Sequence, residues 1–172
     1  MNPHTEQSGV SGGLIRFVMG VGHVVSYING ILVLVIVLQV LLRYAFGRGL
    51  VSLEELEWHL WAVAFLFGLS YCVAHDSNIR MDLVCRKLSA RSREWMDAFG
   101  ILFLVLPFVV VMFVHGLDFV HHSWVLSERS EAPLGLPFRW VIKSFVPICM
   151  AMLGLAALAR LIRAFEILRK RS

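Results

Sequence analysis

Long stretches of this chain contain no acidic or basic residue. None occurs between Val21 and Leu42 (22 residues), between Trp58 and Ala74 (17 residues) or between Ala98 and Leu117 (20 residues), and Trp140–Ala159 holds Lys143 alone. Charged residues make up 16% of the sequence, apolar ones 58%, and mean hydropathy is +0.74. That balance excludes an ordinary soluble domain, whose single core needs far fewer apolar residues. It fits a chain whose solvent is lipid. The charge missing from the spans also argues against an ion path or proton relay, which would place titratable groups at mid-membrane. Cysteine is scarce as well. Cys72, Cys85 and Cys149 are odd in number and share no metal-ligand spacing, which leaves packing as their reading. There is no glycine-rich phosphate loop, no Gly-x-Ser-x-Gly and no nucleophile–base pair, so catalysis has no visible seat. No internal repeat of the kind that marks a complete secondary transporter is present. Residues 1–16 are polar and Gly/Ser-rich, and the apolar run after them is too long for a cleavable signal.

What remains is a set of four spans. A helix of about 20 residues crosses the roughly 30 Å of hydrocarbon. The expected spans are 17–42, 53–74, 98–117 and 140–159, with Lys143 snorkelling near the start of the last. The fold class is therefore all-α integral membrane. The expected division is a flexible tail over 1–16, a four-helix domain over 17–163 and a basic tail over 164–172. Eleven Lys/Arg residues fall on the side of the N-terminus, the 79–97 connection and the C-terminus, against five on the other. The positive-inside rule then places both termini in the cytoplasm. The net charge of +4 follows from these connections beside anionic lipid and is no nucleic-acid signal. Trp58, Trp61, Trp95, Trp124 and Trp140 lie near span ends, as an aromatic belt requires.

The connections carry the remaining polar chemistry. Ser52 and Glu55 have capping-box spacing at the start of the second span, where Glu54, Glu55 and Glu57 meet the positive end of the helix dipole. The 82–87 stretch, with Leu83, Val84 and Leu88 against basic neighbours, reads as a short cytoplasmic interfacial helix. Pro133, Gly135 and Pro137 make 118–139 a turn-rich outer loop. Pro107 and Pro147 fall inside spans, where neighbouring helices must satisfy the freed carbonyls. Asn29, Gln39, Ser26 and Ser70 are the main polar residues of the spans, and interhelical hydrogen bonds account for them. Histidines at both ends of the bundle (His23 and His75; His59 and His115, with His121 and His122 beyond) raise a second reading, a di-haem b electron-transfer protein. Against it, most of them sit at span ends rather than a turn or two inside. Asp118, His121, His122 and Glu128 lack compact zinc spacing.

Several motifs resemble a known family. Arg43-Tyr44 is followed by Ser52-Leu53-Glu54-Glu55-Leu56. Phe67-Gly68-Leu69-Ser70-Tyr71 leads into Asp76-Ser77-Asn78-Ile79-Arg80-Met81-Asp82. Ser123-Trp124, Glu128-Arg129-Ser130 and Leu134-Gly135-Leu136-Pro137-Phe138-Arg139-Trp140 precede Lys143 and Val146-Pro147. Their order and spacing over Val21 to Arg163 resemble the small membrane subunit of tripartite ATP-independent periplasmic (TRAP) transporters. The last group is similar to the subgroup associated with mannitol or chloroaromatic compounds. Family members carry a histidine where this chain has Asn78. The resemblance implies a four-span, non-catalytic subunit of the bacterial inner membrane without a cofactor. It implies two protein partners besides lipid: a large multi-span membrane subunit that carries substrate and sodium, and a periplasmic binding protein that delivers an organic acid. Arg43, Glu54, Glu55, Glu57, Arg80, Asp82, Glu128 and Arg139 are the residues expected to hold helix ends or partner contacts.

Overall fold

The computed structural model describes residues 10–47, 49–75, 90–133 and 135–170. They form helices α1 (Val10–Ala45), α2 (Val51–His75), α3 (Ala90–Gly100), a π-helical turn (Ile101–Val105), α4 (Leu106–Val125) and α5 (Arg139–Lys170). The chain runs continuously helical from α3 through the π turn into α4, so four helices are long and apolar enough to cross a membrane. All described regular structure is helical. This is what hydrocarbon demands, because a helix satisfies its own backbone. The interfacial helix expected over 82–87 lies outside the described residues.

The π turn has a local cause. Pro107 has no N–H and its ring would crowd the carbonyl four residues back. The turn before it widens instead, and the Leu106 N–H reaches the carbonyl of Ile101. Pro147 is met differently, inside α5. There α4 presents Gly116, where a Cβ would lie 3.4 Å from the proline ring, so the missing side chain lets the two helices close up at the proline.

Helix α5 is the hub. It packs against α1, α2, α3 and α4, whereas extensive contacts between α4 and either α1 or α2 are missing among the described residues. The arrangement is therefore a central helix flanked by an α1–α2 pair and by the α3–α4 rod. The α5 residues that meet its neighbours are small: Cys149, Ala156, Ala157, Ala159 and Ala164 are fully buried. Between apolar helices in lipid, close backbone approach and van der Waals contact supply the attraction. Ile15, Val18, Val25, Val63 and Phe67 complete the main core. The Ser70 hydroxyl, itself buried, donates to the Cys149 carbonyl at 3.4 Å and joins α2 to the hub.

Candidate functional site

Five of the expected residues converge at one end of the helices, on the side of the α1–α2 turn and the α4–α5 loop. The α1–α2 turn is fixed from within. Gln39 is buried near the end of α1, and its Nε2 donates to the Leu50 carbonyl and to Glu54 Oε1, each at 3.3 Å. Its Oε1 accepts from the Leu50 N–H at 3.5 Å. Arg43, one turn further on, pairs with the same Glu54 carboxylate. Glu54 thus holds the last turn of α1 against the first turn of α2, as its place at a helix N-terminus favours.

Glu55 reaches the other way. Its Oε1 accepts from the Ser130 hydroxyl, and its Oε2 accepts from the Leu136 N–H at 2.6 Å. The capping-box spacing of Ser52 and Glu55 is present, but this carboxylate is committed to the α4–α5 loop, 75 to 81 residues away. The loop also closes on itself: the Ser130 N–H donates to the Leu136 carbonyl at 3.4 Å and the Gly135 N–H to the Ala132 carbonyl at 3.0 Å. Ser127 (φ 47°) and Phe138 (φ 63°) take left-handed conformations at the two ends of the loop. The Arg139 N–H then meets the Glu128 carbonyl at 3.3 Å.

Glu128 forms the third knot. Lys143 pairs with its carboxylate, and Arg139 lies 3.7 Å from it. The Lys143 ammonium sits 3.9 Å above the Phe119 ring of α4. Lys143 therefore joins α5 to α4 and the loop instead of snorkelling free to the headgroups. The Lys143 hydrogen bond, with Arg139 adding to it, holds the Glu128 carboxyl below its ordinary value. Beside this knot, the Trp124 and Trp140 rings meet edge to face at 4.5 Å. Glu57 stands apart from the three knots: one carboxylate oxygen is enclosed without a hydrogen-bond partner among the described residues. Arg80 and Asp82 lie outside the described residues.

A second ionic cluster escaped the sequence reading. At the opposite end of the helices Arg160 of α5 is buried, with Nη2 2.9 Å from Asp97 and Nη1 3.5 Å from Glu94 of α3. Glu94 and Asp97 are three apart on one helix face. That spacing, opposite a lone arginine closing an alanine-rich run, was the available signal. The histidines do not gather. His59 lines an apolar cavity of about 450 Å³ with Ile28, Val63, Leu136 and Phe145. His115, His121 and His122 are exposed on α4, across the hub from α2. Opposed imidazoles flanking one buried plane, as a bis-histidine haem requires, are not formed by His59 and His115. Among the described residues no group of three or more His, Cys, Asp or Glu is placed to hold a metal.

The ends of this molecule are tied and its middle is apolar, which is a frame rather than a reaction centre. Comparison with known families gives that frame its place: the sequence model of the tripartite ATP-independent periplasmic transporters, DctQ component, matches residues 32–167. The chain belongs to the DctQ family. No curated protein and no solved structure matches it. The DctQ component is the small, non-catalytic membrane subunit of a TRAP transporter, a multi-pass protein of the bacterial inner membrane. The tripartite system implies a large membrane subunit and a periplasmic binding protein as its partners. In this DctQ chain the matched region begins within α1 and ends within α5, so it takes in all three knots and the Arg160 cluster.

Proposed function

We propose that this DctQ subunit braces the stationary part of the large membrane subunit while that partner moves an organic acid, delivered by the binding protein, together with sodium. The observation that carries this reading is where the ionic groups are used. Arg43 with Glu54, Lys143 and Arg139 with Glu128, and Arg160 with Asp97 and Glu94 each hold two segments of the chain together near a helix end. Charges used that way stiffen a frame; a cargo path would need them along mid-membrane.

In the same reading both termini are cytoplasmic, on the weight of the Lys/Arg distribution. The three knots then face the periplasm, where Glu54, Glu128 and their exposed neighbours orient the binding protein. The basic 82–87 stretch rests on the inner lipid surface as an amphipathic turn, with Arg80 and Asp82 paired at its entry.

Reconstitution tests the role. Liposomes holding both membrane subunits, with binding protein outside and an inward sodium gradient, are expected to accumulate substrate. Vesicles with only the DctQ chain are expected to show no flux, and vesicles with only the large subunit little. Flux through the DctQ chain alone, or full activity without it, removes the bracing role. A Soret band in the purified chain would instead revive the electron-transfer reading.

A further inference from the structure

We propose that the cleft between α1 and α2 at Asn29 is the seat of a transmembrane helix of the large subunit, one that brings a hydrogen-bonding group to the middle of the bilayer. This rests on the bracing reading above and adds to it a face and a residue.

Asn29 lies midway along α1, and its side chain is exposed. It makes no hydrogen bond among the described residues. Two amides of α1 therefore have opposite fates. Gln39 is buried and paired at both its oxygen and its nitrogen, whereas the Asn29 carboxamide faces outward. Lipid tails offer it neither donor nor acceptor. Its short side chain cannot snorkel to headgroups roughly 15 Å away on either side. A carboxamide so placed is at rest only when another protein group meets it.

The surroundings are cut to admit a helix. Asn29 lines a cavity of about 240 Å³ with Gly22, Ser26, Ala64 and Gly68. Ser26 is already committed, donating to the His23 carbonyl at 2.6 Å. The glycines divide in an informative way. Gly22 is explained inside the chain, because a Cβ there would strike the Tyr71 ring. A Cβ on Gly68 or on Gly30 would meet nothing within 4 Å. Glycine weakens a helix interior, and these two clear space that no group of this chain fills. The carboxamide calls for a polar partner at that depth, and the glycines allow its backbone to come close. A lipid tail satisfies only the second condition.

The test uses the complex of both membrane subunits. Asn29→Leu suits α1 to lipid and leaves insertion intact, which the amount of subunit in the membrane verifies. It is expected to weaken association with the large subunit roughly threefold to twentyfold, the range of a single interhelical hydrogen bond. Asn29→Gln is expected to restore most of the loss. A benzophenone amino acid at Val33, one turn from Asn29 and exposed, is expected to cross-link to the large subunit, and one at exposed Phe103 on the far side is not. Unchanged association in Asn29→Leu, or adducts at Val33 with lipid only or with a second copy of this chain, overturns the proposal and leaves the bracing role standing. If the wild-type subunits fail to associate at all, both readings fall together.

Discussion

Helices α5 and α1 are both apolar enough to cross a bilayer, yet 56% of the membrane window of α5 is buried inside the chain and only 11% of that of α1. The difference lies in side-chain size. Helix α5 offers Ala156, Ala157, Ala159 and Ala164 to its neighbours. Helix α1 offers large residues to the outside: Val24, Ile31, Leu34, Leu38 and Leu41 are all exposed. Hydropathy records how well a segment dissolves in lipid, and a leucine-rich helix dissolves well. It does not record which segment other helices prefer as a neighbour, because that depends on how closely backbones can approach. In this subunit the small-residue helix becomes the axis and the large-residue helix a flank. The flank is the part with surface to offer a partner.

The sharpest way to break this contrast is to attack the hub's buried charge. Arg160→Met leaves Glu94 and Asp97 facing each other without their cation, at side-chain exposures of 17% and 25%. Removing one partner of a buried pair costs about 3–5 kcal/mol. Thermal unfolding of the detergent-solubilised subunit is expected to show a loss of that order. Adding Glu94→Gln and Asp97→Asn to the same chain is expected to recover most of it. If Arg160→Met alone is neutral, the cluster does not hold α3 on α5.

Next in size is steric. Ala157→Leu places a large side chain where none fits and is expected to destabilise the isolated subunit by about 1–3 kcal/mol. Leu34→Ala on the exposed side of α1 is expected to stay within about 0.5 kcal/mol in the same measurement. Equal effects at the two positions would dissolve the distinction between axis and flank.

Much of this was legible in the sequence, and the reasons for the rest are physical. Uninterrupted apolar length located all four spans, because nothing else keeps charge out of 20 consecutive residues. The turns between spans showed themselves through Gly47, Gly49, Pro133 and Pro137. Ser70 and Gln39 bond between segments as the span chemistry demanded, whereas Ser26 bonds within its own helix and Asn29 bonds to nothing described. Arrangement was not legible. The bond from the Leu136 N–H to Glu55 joins residues 81 apart, and local spacing around Glu55 pointed to a capping box instead. The π turn depends on how the backbone relieves Pro107, for which a kink was an equal solution. Arg160 sat just past the expected end of its span, so it was counted as a solvated basic residue. Only the longer α5 and the facing α3 turn it into a buried one.

A pH experiment sharpens the comparison at the outer end of the hub. Glu128 is held below its ordinary value of 4.5 chiefly by the Lys143 hydrogen bond. A carboxyl whose folded value is depressed contributes stability that is fully present above its unfolded value. That contribution is lost as pH falls through the lower, folded value. The unfolding temperature of the wild type is therefore expected to exceed that of Glu128→Gln by a constant margin from neutral pH down to about 5. The margin then narrows progressively below 4.5. A margin that does not change with pH would mean that Lys143 and Glu128 are not paired as charges.

The smallest effect is expected where the molecule is most open. Arg43 and Glu54 keep 55% and 41% of their side chains exposed, and ion pairs of that kind contribute about 0–1 kcal/mol. Arg43→Ala is therefore expected to leave the isolated subunit nearly unchanged, because Gln39 still ties Leu50 and Glu54 to α1. The same substitution in the assembled transporter is the informative arm. If a partner covers this turn and excludes water, the pair gains strength, and transport or association falls while isolated stability does not. If neither measurement moves, the α1–α2 turn is only a hinge pin, and the partner's grip on the flank lies deeper, toward the middle of α1.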